Sequence, residues 1–209
     1  MGLHTPIWAK IIFHLVVHSV PKVRERALAV MEIAMPFLMK HQDELVRILI
    51  PDLKEGILGD MKKLFAAKQE VFVMRVWSCF VQVLGKSIHH GSFINSILGL
   101  AEQGFKSQSI EGKCAAFEAW ISLIDNFATN PDILCDNKRV KLMMMVFKNN
   151  NAKVETLALL KLRVWWHFIT KLDDKVSQLF DQTCAPLLHF AIGLGMSSNP
   201  ATPSRKHPM

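Results

Sequence analysis

The chain has 209 residues, of which 50% are hydrophobic and 21% charged, with no Tyr and only 10 Gly and 9 Pro. This composition can bury a substantial core, excludes a chain that is disordered throughout, and favours helices over sheets. The 25 Lys and Arg against 18 Asp and Glu give a formal net charge of +7. Such an excess suits phosphate-bearing or acidic partners, or serves solubility alone.

Apolar residues recur at helical spacing in four long segments, which begin near residues 22, 69, 109 and 153. The first segment carries its apolar stripe at Val23, Ala27, Val30, Met31 and Ala34. Such a stripe covers one side of a helix. Other helices are predicted at 6–19, 43–66, 92–106, 131–148 and 174–194.

The four long segments recur every 40 to 47 residues, with another helix between each pair. A two-helix unit of this length is typical of HEAT and armadillo repeats, whereas TPR and ankyrin units have about 33 or 34 residues. The sequence therefore predicts an all-α fold, an α-solenoid of HEAT-like or armadillo-like helical hairpins. Residues 1–195 are expected to form about four helix pairs and a terminal helix.

The polar, Pro-bearing residues 196–209 are predicted to be a disordered tail or the start of a linker. The first helix carries no evident polar outer face, which the end of a repeat array normally needs. We therefore expect this segment to contact other parts of a longer parent chain.

Proline and small polar residues mark several helix ends. Pro21 is suited to the first turn of a helix, and Ser92 is a predicted N-cap. Pro36 and Pro51 fall within helical patterns, so we expect a kink or a break at each.

No segment indicates export or membrane insertion. The apolar run at 8–17 is interrupted by Lys10 and His14 and has no cleavage site after it. No stretch was expected to reach the ~18 apolar residues that span a bilayer. The four cysteines are far apart in apolar helical sequence, with no C-x-x-C pair, and are predicted to be buried thiols. We expect an intracellular protein without membrane association.

The motifs of common enzyme classes are absent from the sequence. It contains no phosphate-binding glycine motif, no G-x-S-x-G elbow and no H-E-x-x-H pair. His14 and His18 are four residues apart and could face one metal ion, but no third ligand lies at a suitable spacing. We therefore predict no catalytic residue, no metal and no cofactor.

Four Trp residues, at 77, 120, 165 and 166, fall at a similar position late in the second helix of their repeats. They could form an aromatic platform on which bases stack. Their apolar neighbours favour a repeated core position instead. Because Trp165 and Trp166 are consecutive on one helix, one of them is expected to be partly exposed.

Two clusters of basic residues are predicted to bind phosphate or acidic groups of a partner protein. The first consists of Lys22, Arg24 and Arg26, and the second of Lys62 and Lys63. Lysine and arginine pair with phosphate oxygens through charge-assisted hydrogen bonds.

A third cluster, Lys138, Arg139 and Lys141, is the predicted contact for DNA. Second helices line one face of a stacked array, so basic clusters at like positions could merge into a stripe that attracts nucleic acid phosphate. The alternative is a solvated face on which acids such as Glu25 and Glu111 balance the charge.

Several longer segments of the sequence match one known family in the same order. They are HLVVHSVPKVRER at 14–26, GSFINS at 91–96, LIDNFA at 123–128, NPDILC at 130–135, VETLAL at 154–159 and VWW at 164–166. Over about residues 13–190 the chain resembles the Rif family of vertebrate telomere-associated, Rap-interacting proteins.

The resemblance implies a segment of the N-terminal helical-repeat region of a very long nuclear protein that acts at chromosomes. The family limits end resection at double-strand breaks, sets replication timing and associates with telomeres. Its vertebrate N-terminal repeats are implicated in reaching damage-site adaptors through phosphorylated segments. The family's phosphatase-docking motifs are not found in this chain, and no family motif marks individual contact residues here.

The leading hypothesis is a non-enzymatic scaffold segment that docks a phosphorylated damage-site adaptor, or another acidic protein, at chromatin. One alternative is direct, sequence-independent DNA binding along a basic stripe. Another is a purely architectural spacer. The expected location is the nucleus and the chromosome, including telomeres.

Overall fold

A computed structural model of the chain describes residues 5–149 and 152–192, which contain helices and short connections but no strand. The tail predicted at 196–209 lies outside these residues. The helices are α1 Thr5–Leu15, α2 Pro21–Lys40, α3 Gln42–Asp52, α4 Leu58–Ala66, α5 Glu70–Leu84, α6 Phe93–Phe105, α7 Ile110–Ala128, α8 Pro131–Leu134, α9 Asn137–Asn149, α10 Glu155–Lys171 and α11 Val176–Ile192.

The long helices α2, α5, α7 and α10 begin within two residues of their predicted starts. Each packs on the next one along the chain, and we call these four the inner helices. The outer helices are α1, α3 with α4, α6, α9 and α11. The predicted all-α, solenoid-like fold is therefore confirmed.

The connections between inner and outer helices fall at two opposite edges of the array. Gly104, near the end of α6, lies against Met74 and Ala116, near the starts of α5 and α7. We call this side, where the inner helices begin, the entry edge. Near the start of α9, Arg139 lies over the ring of Phe127 at the end of α7. We call this opposite side the exit edge.

The prolines within helices have different outcomes. The chain continues as an α-helix through Pro36 to Lys40, so α2 is not broken there. After Pro51 the chain forms a π-helical segment, Leu53–Ile57, before α4 begins. A proline removes one backbone donor from the helical ladder, and a wider turn is one way to accommodate that loss. The irregularity predicted at Pro51 is therefore present.

Side-chain caps are present at the starts of α7 and α8, but not at the start of α6, where one was predicted. Ser109 accepts a hydrogen bond from the backbone N–H of Gly112 at 2.9 Å, and Asn130 accepts from that of Asp132 at 3.2 Å. Ser92 precedes α6 as expected, but its side chain makes no capping hydrogen bond. The predicted N-cap position is thus correct, while the predicted interaction is wrong.

The core runs continuously through the stack, and its largest members are aromatic. Trp77, Trp120 and Trp165 are at most 2% exposed, whereas Trp166 is 61% exposed. The rings of Trp77 and Trp120 are nearly parallel, with centroids 6.4 Å apart. The core interpretation of the tryptophans is confirmed for three of them, and the partly exposed member of the adjacent pair is Trp166.

The inner helix α5 corrects one expectation about membranes. The stretch Glu70–Ile88 is long and apolar enough to cross a membrane by length and composition alone, so the expectation that no stretch reaches this length is wrong. In the structure α2, α3, α4, α6 and α7 pack around α5. Its apolar surface is therefore that of a core helix.

The cysteines are free thiols that differ in burial. Cys79 is buried, whereas the other three, Cys114, Cys135 and Cys184, are partly buried. Burial raises the pKa of Cys79 to about 12. The predicted buried thiol is therefore correct for Cys79 and too strong for the rest.

A buried polar network joins the C-terminal ends of α5 and α7 to the start of α9. The Asn126 side-chain amide donates to the carbonyl oxygens of Val81 and Gly85, both at 3.0 Å. The His89 ring Nε2 lies 3.0 Å from Asn126 Oδ1, and burial lowers the pKa of His89. Arg139 Nη2 donates to the His89 carbonyl oxygen at 2.6 Å. Asn126 therefore satisfies backbone carbonyls at the end of α5 that would otherwise be buried without a donor.

Replacing Asn126 with Ala should lower the free energy of unfolding by about 1–3 kcal/mol, because two buried carbonyls and His89 lose their partner. Chemical denaturation followed by circular dichroism measures this change. Gln178→Ala, at an exposed amide on α11, should stay within about 0.5 kcal/mol of the parent. Equal small losses for both variants would contradict the network's role.

Candidate functional site

Charged side chains on the inner helices are paired across neighbouring repeats. Arg75 on α5 donates to both carboxylate oxygens of Glu32 on α2, at 2.7 and 2.8 Å from Nη2. Between α7 and α10, Asp125 Oδ1 lies 2.8 Å from His167 Nε2 and 3.0 Å from Lys171 Nζ. Arg75 and Lys171 are therefore each engaged by a carboxylate of a neighbouring repeat, so they do not supply the basic stripe expected along the inner helices.

Lys161, another basic residue of the inner helices, lies in the core. It is 3% exposed, and its Nζ sits 4.0 Å from the centre of the Phe190 ring on α11. Burial lowers its pKa from 10.5 to about 8. Its contact with the aromatic face is a cation–π interaction. Lys161 is therefore not presented to a partner at the surface.

The first predicted cluster is divided by the fold. Lys22 and Arg26 are exposed at the start of α2, on the entry edge. Arg24 is 6% exposed, and its Nη1 donates to the Ser19 carbonyl oxygen at 3.0 Å. Its guanidinium carbon lies 5.7 Å from the centre of the Phe72 ring on α5. Arg24 thus fastens the α1–α2 connection to α5, which leaves Lys22 and Arg26 presented to a partner.

The second predicted cluster lies on the same edge. Lys62 and Lys63 are exposed near the end of α4, and Lys63 Nζ is 2.8 Å from the carboxylate of Asp60 one turn earlier. Two lysines that the sequence reading did not single out also lie there: Lys68 in the α4–α5 connection and Lys106 at the end of α6. The entry edge therefore gathers basic residues from successive repeats.

The third predicted cluster lies on the exit edge, away from the first two. Lys138 and Lys141 are exposed near the start of α9. Arg139 is held by the His89 carbonyl oxygen and by the face of Phe127, 4.9 Å from its guanidinium carbon. The structure thus brings the two partner-binding clusters together at one edge and separates them from the cluster predicted to contact DNA.

The histidines considered as metal ligands have other contacts. His14 Nε2 lies 3.0 Å from the buried carboxylate of Asp52 on α3, and Lys10 Nζ lies 3.6 Å from the same group. His18 Nδ1 accepts a hydrogen bond from the backbone N–H of Val20 at 3.1 Å. Within residues 5–149 and 152–192, no three His, Cys, Asp or Glu side chains are arranged to hold a metal ion.

A groove that the sequence reading missed lies between the outer helices α6 and α9, over α7. It encloses about 420 Å³, and its lining includes Leu98, Phe105, Trp120, Leu142 and Met145. No local pattern could have revealed it, because it depends on how far apart two outer helices pack. Periodicity places apolar residues on a helix face but does not say whether a neighbour covers them.

These features define an α-helical repeat protein of the solenoid type, with a basic edge and an apolar groove on its outer side. Comparisons with known proteins agree. The chain matches the family described as "Rap1-interacting factor 1 N terminal" over residues 1–184. It therefore belongs to the Rap1-interacting factor 1 N-terminal family. No solved structure was found to match it.

Curated relatives are much longer than this chain. It is 42% identical over 201 residues to "Telomere-associated protein RIF1" of Homo sapiens, covering 96% of the chain and 8% of that relative. It is 43% identical over 207 residues to the Gallus gallus protein of the same name, covering 98% and 9%. It is 24% identical over 147 residues to "Telomere length regulator protein rif1" of Schizosaccharomyces pombe, covering 65% and 10%. The chain thus spans about a tenth or less of these relatives.

Arg24→Ala should lower the free energy of unfolding by about 1–3 kcal/mol, because it removes a buried guanidinium that binds backbone carbonyls and an aromatic face. Arg26→Ala, two residues away and exposed, should change it by less than about 0.5 kcal/mol. Urea denaturation of both variants measures the difference. If Arg24→Ala is as stable as Arg26→Ala, Arg24 is not structural.

Proposed function

We propose that this chain is a non-enzymatic recognition segment of a telomere-associated chromosomal protein, and that its entry edge binds phosphorylated or acidic partner proteins. One observation carries this proposal. Lys22, Arg26 and Lys62 are exposed on the entry edge, whereas Arg75 and Lys171, farther along the inner helices, are paired with carboxylates of neighbouring repeats. Free cations that share one edge are what an anionic partner requires.

The cellular role follows from the family. Relatives are named as telomere-associated proteins or as a telomere length regulator, which supports a location in the nucleus, on chromosomes and at telomeres. The resemblance extends the proposal to limiting end resection at double-strand breaks and to replication timing. In those processes the partner would be a phosphorylated adaptor protein at the damage site, with the chain acting as a docking module inside a longer protein.

The positive charge of the entry edge suits a partner whose binding is controlled by phosphorylation. Each phosphate adds nearly two negative charges and three acceptor oxygens, and lysine or arginine side chains bind these through charge-assisted hydrogen bonds. The cations lie on exposed side chains, so their attraction is screened by salt. Binding should therefore depend on phosphorylation and weaken as ionic strength rises.

Direct DNA binding at the exit edge is the second candidate, with Lys138 and Lys141 as its contacts. Arg139 is occupied by its contacts to His89 and Phe127, so the predicted cluster supplies two exposed cations. Affinity for DNA falls with salt in proportion to the number of phosphates contacted. So few contacts favour weak DNA binding, and an architectural spacer would bind neither ligand.

Reversing three charges on the entry edge, with Lys22→Glu, Arg26→Glu and Lys62→Glu, should weaken binding by about tenfold or more. The probe is a set of short acidic peptides that contain phosphoserine, and fluorescence anisotropy gives the Kd. The melting temperature should stay unchanged, because the three side chains are exposed.

The matched control makes the same charge change on the exit edge at lysines distant from the α6–α9 groove, with Lys40→Glu, Lys86→Glu and Lys175→Glu. It should keep peptide affinity within about threefold of the parent. Equal losses for both triple variants would show a general charge effect and contradict an entry-edge site. Tight binding of a random DNA duplex that is lost in a Lys138→Glu, Lys141→Glu variant, with no phosphopeptide binding by the parent chain, would favour the DNA candidate.

A further inference from the structure

The groove between α6 and α9 is unlike the other contacts between successive outer helices. α6 packs on α5 and α7, whereas α9 packs on α8, α10 and α11. The outer part of the repeat that contains α7 consists of two helices, because α8 ends at Leu134 and α9 begins at Asn137. The Asp136 carboxylate accepts from the N–H groups of Lys138 and Arg139 at this restart. The groove lies beside this division, with Trp120 of α7 at its base and with apolar residues of α6 and α9 as its walls.

The indole of Trp120 has no hydrogen-bond partner in this repeat. At the matching place in the preceding repeat, Trp77 Nε1 donates to the Ile97 carbonyl oxygen at 2.8 Å. In the following repeat, Trp165 Nε1 donates to the Thr183 carbonyl oxygen at 3.1 Å. Each acceptor belongs to the next outer helix. Trp120 lines the groove, and its buried Nε1–H lacks an acceptor. Buried polar groups without a hydrogen-bond partner are rare in folded proteins.

The wall of the groove formed by α6 contains a glycine. A Cβ atom added at Gly99 would meet no atom within 4 Å, so packing does not require a glycine there. Glycine within a helix is less favourable than a residue with a side chain. Its absence of a side chain keeps the groove open.

The charge around the groove points to an acidic occupant. The sequence of α9, NKRVKLMMMVFKN, contains no acidic residue. Lys138 and Lys141 lie one turn from the groove residues Leu142 and Met145 on the same helix. On the α6 side, Lys106 lines the groove and also belongs to the entry edge. Glu102 also lines the groove and is held in an ion pair with Lys106, so the positive charge that favours an acidic occupant comes from Lys138 and Lys141.

We propose that the α6–α9 groove binds an acidic peptide segment of a partner protein, with a bulky apolar side chain inserted against Trp120 and Met145. Because Trp120 Nε1–H is buried in the free chain, the side chains beside it shift on binding so that a backbone carbonyl of the peptide supplies its acceptor. The volume of about 420 Å³ lies within the range of ordinary ligand pockets. Because Lys106 lines both features, one extended peptide can reach the groove and the entry edge. This proposal rests on the proposed binding of acidic partners and names a specific site for it.

The test begins with selection of displayed random short peptides on the 209-residue chain. Consensus peptides are then synthesised, and their Kd values are measured by fluorescence anisotropy. Gly99→Leu fills the groove, and Gly59→Leu on α4 is the matched control, because its added Cβ also meets nothing within 4 Å. Neither change should lower the melting temperature, since each replaces a glycine inside a helix.

The expected peptides contain a bulky apolar residue flanked by Asp or Glu. Gly99→Leu should weaken their binding by about tenfold or more, and Gly59→Leu by less than about twofold. In the ¹H–¹⁵N spectrum of the parent chain, the indole resonance of Trp120, assigned by its loss in Trp120→Phe, should shift on binding.

Three results would overturn the groove proposal: no enriched peptide, equal binding to Gly99→Leu, or an unmoved Trp120 resonance. If acidic peptides bind Gly99→Leu as tightly as the parent but no longer bind the entry-edge triple variant, the groove proposal is overturned and the proposed function stands. Apolar peptides without acidic residues that are lost in Gly99→Leu would overturn the acidic occupant and leave the proposed function, which the entry-edge triple variant tests, standing. Self-association removed by Gly99→Leu would make the occupant a second copy and would also overturn the proposal.

Discussion

The packing of α5 on α7 is the contact on which the rest of the structure depends. Trp77 and Trp120 lie with nearly parallel rings across it, and Asn126 on α7 binds the last carbonyls of α5. A helical hairpin alone cannot bury its apolar face, so each repeat is stable only against its neighbours. Because α5 is surrounded by helices on several sides, it acts as the centre from which stacking extends in both directions.

This stacking determines where a partner can bind. Where two inner helices meet, charges are drawn into pairs such as Glu32 with Arg75, which join repeats and leave little free charge. Lys22, Arg26 and Lys62, near helix ends on the entry edge, take no part in these pairs and are exposed. Between α6 and α9 the outer helices stand apart over Trp120 and form a groove. The proposed binding sites therefore lie on an edge and on the outer side of the array, away from the paired faces of the inner helices.

The helices and their period could be predicted because apolar spacing is a local property of the sequence. The starts of α5 and α7 follow directly from it. The role of Arg24 could not be predicted, because its burial depends on how the α1–α2 connection meets Phe72 on a different repeat. Likewise, a core position for Trp120 followed from its neighbours, but its lack of an acceptor depends on the displacement of α9. The basic clusters could be identified from the sequence. The edge on which each cluster lies could not, because it depends on how the helices are arranged in the array.

The central claim is that partners meet the entry edge while the inner helices stay closed to them. Lysine acetylation footprinting of the chain, free and bound to chromatin fragments from irradiated nuclei, tests it most directly. The account predicts that Lys22, Lys62 and Lys63 lose reactivity on binding, while Lys171, already paired with Asp125, is unchanged. Protection confined to Lys171, or to Lys138 and Lys141 on the exit edge, would contradict it.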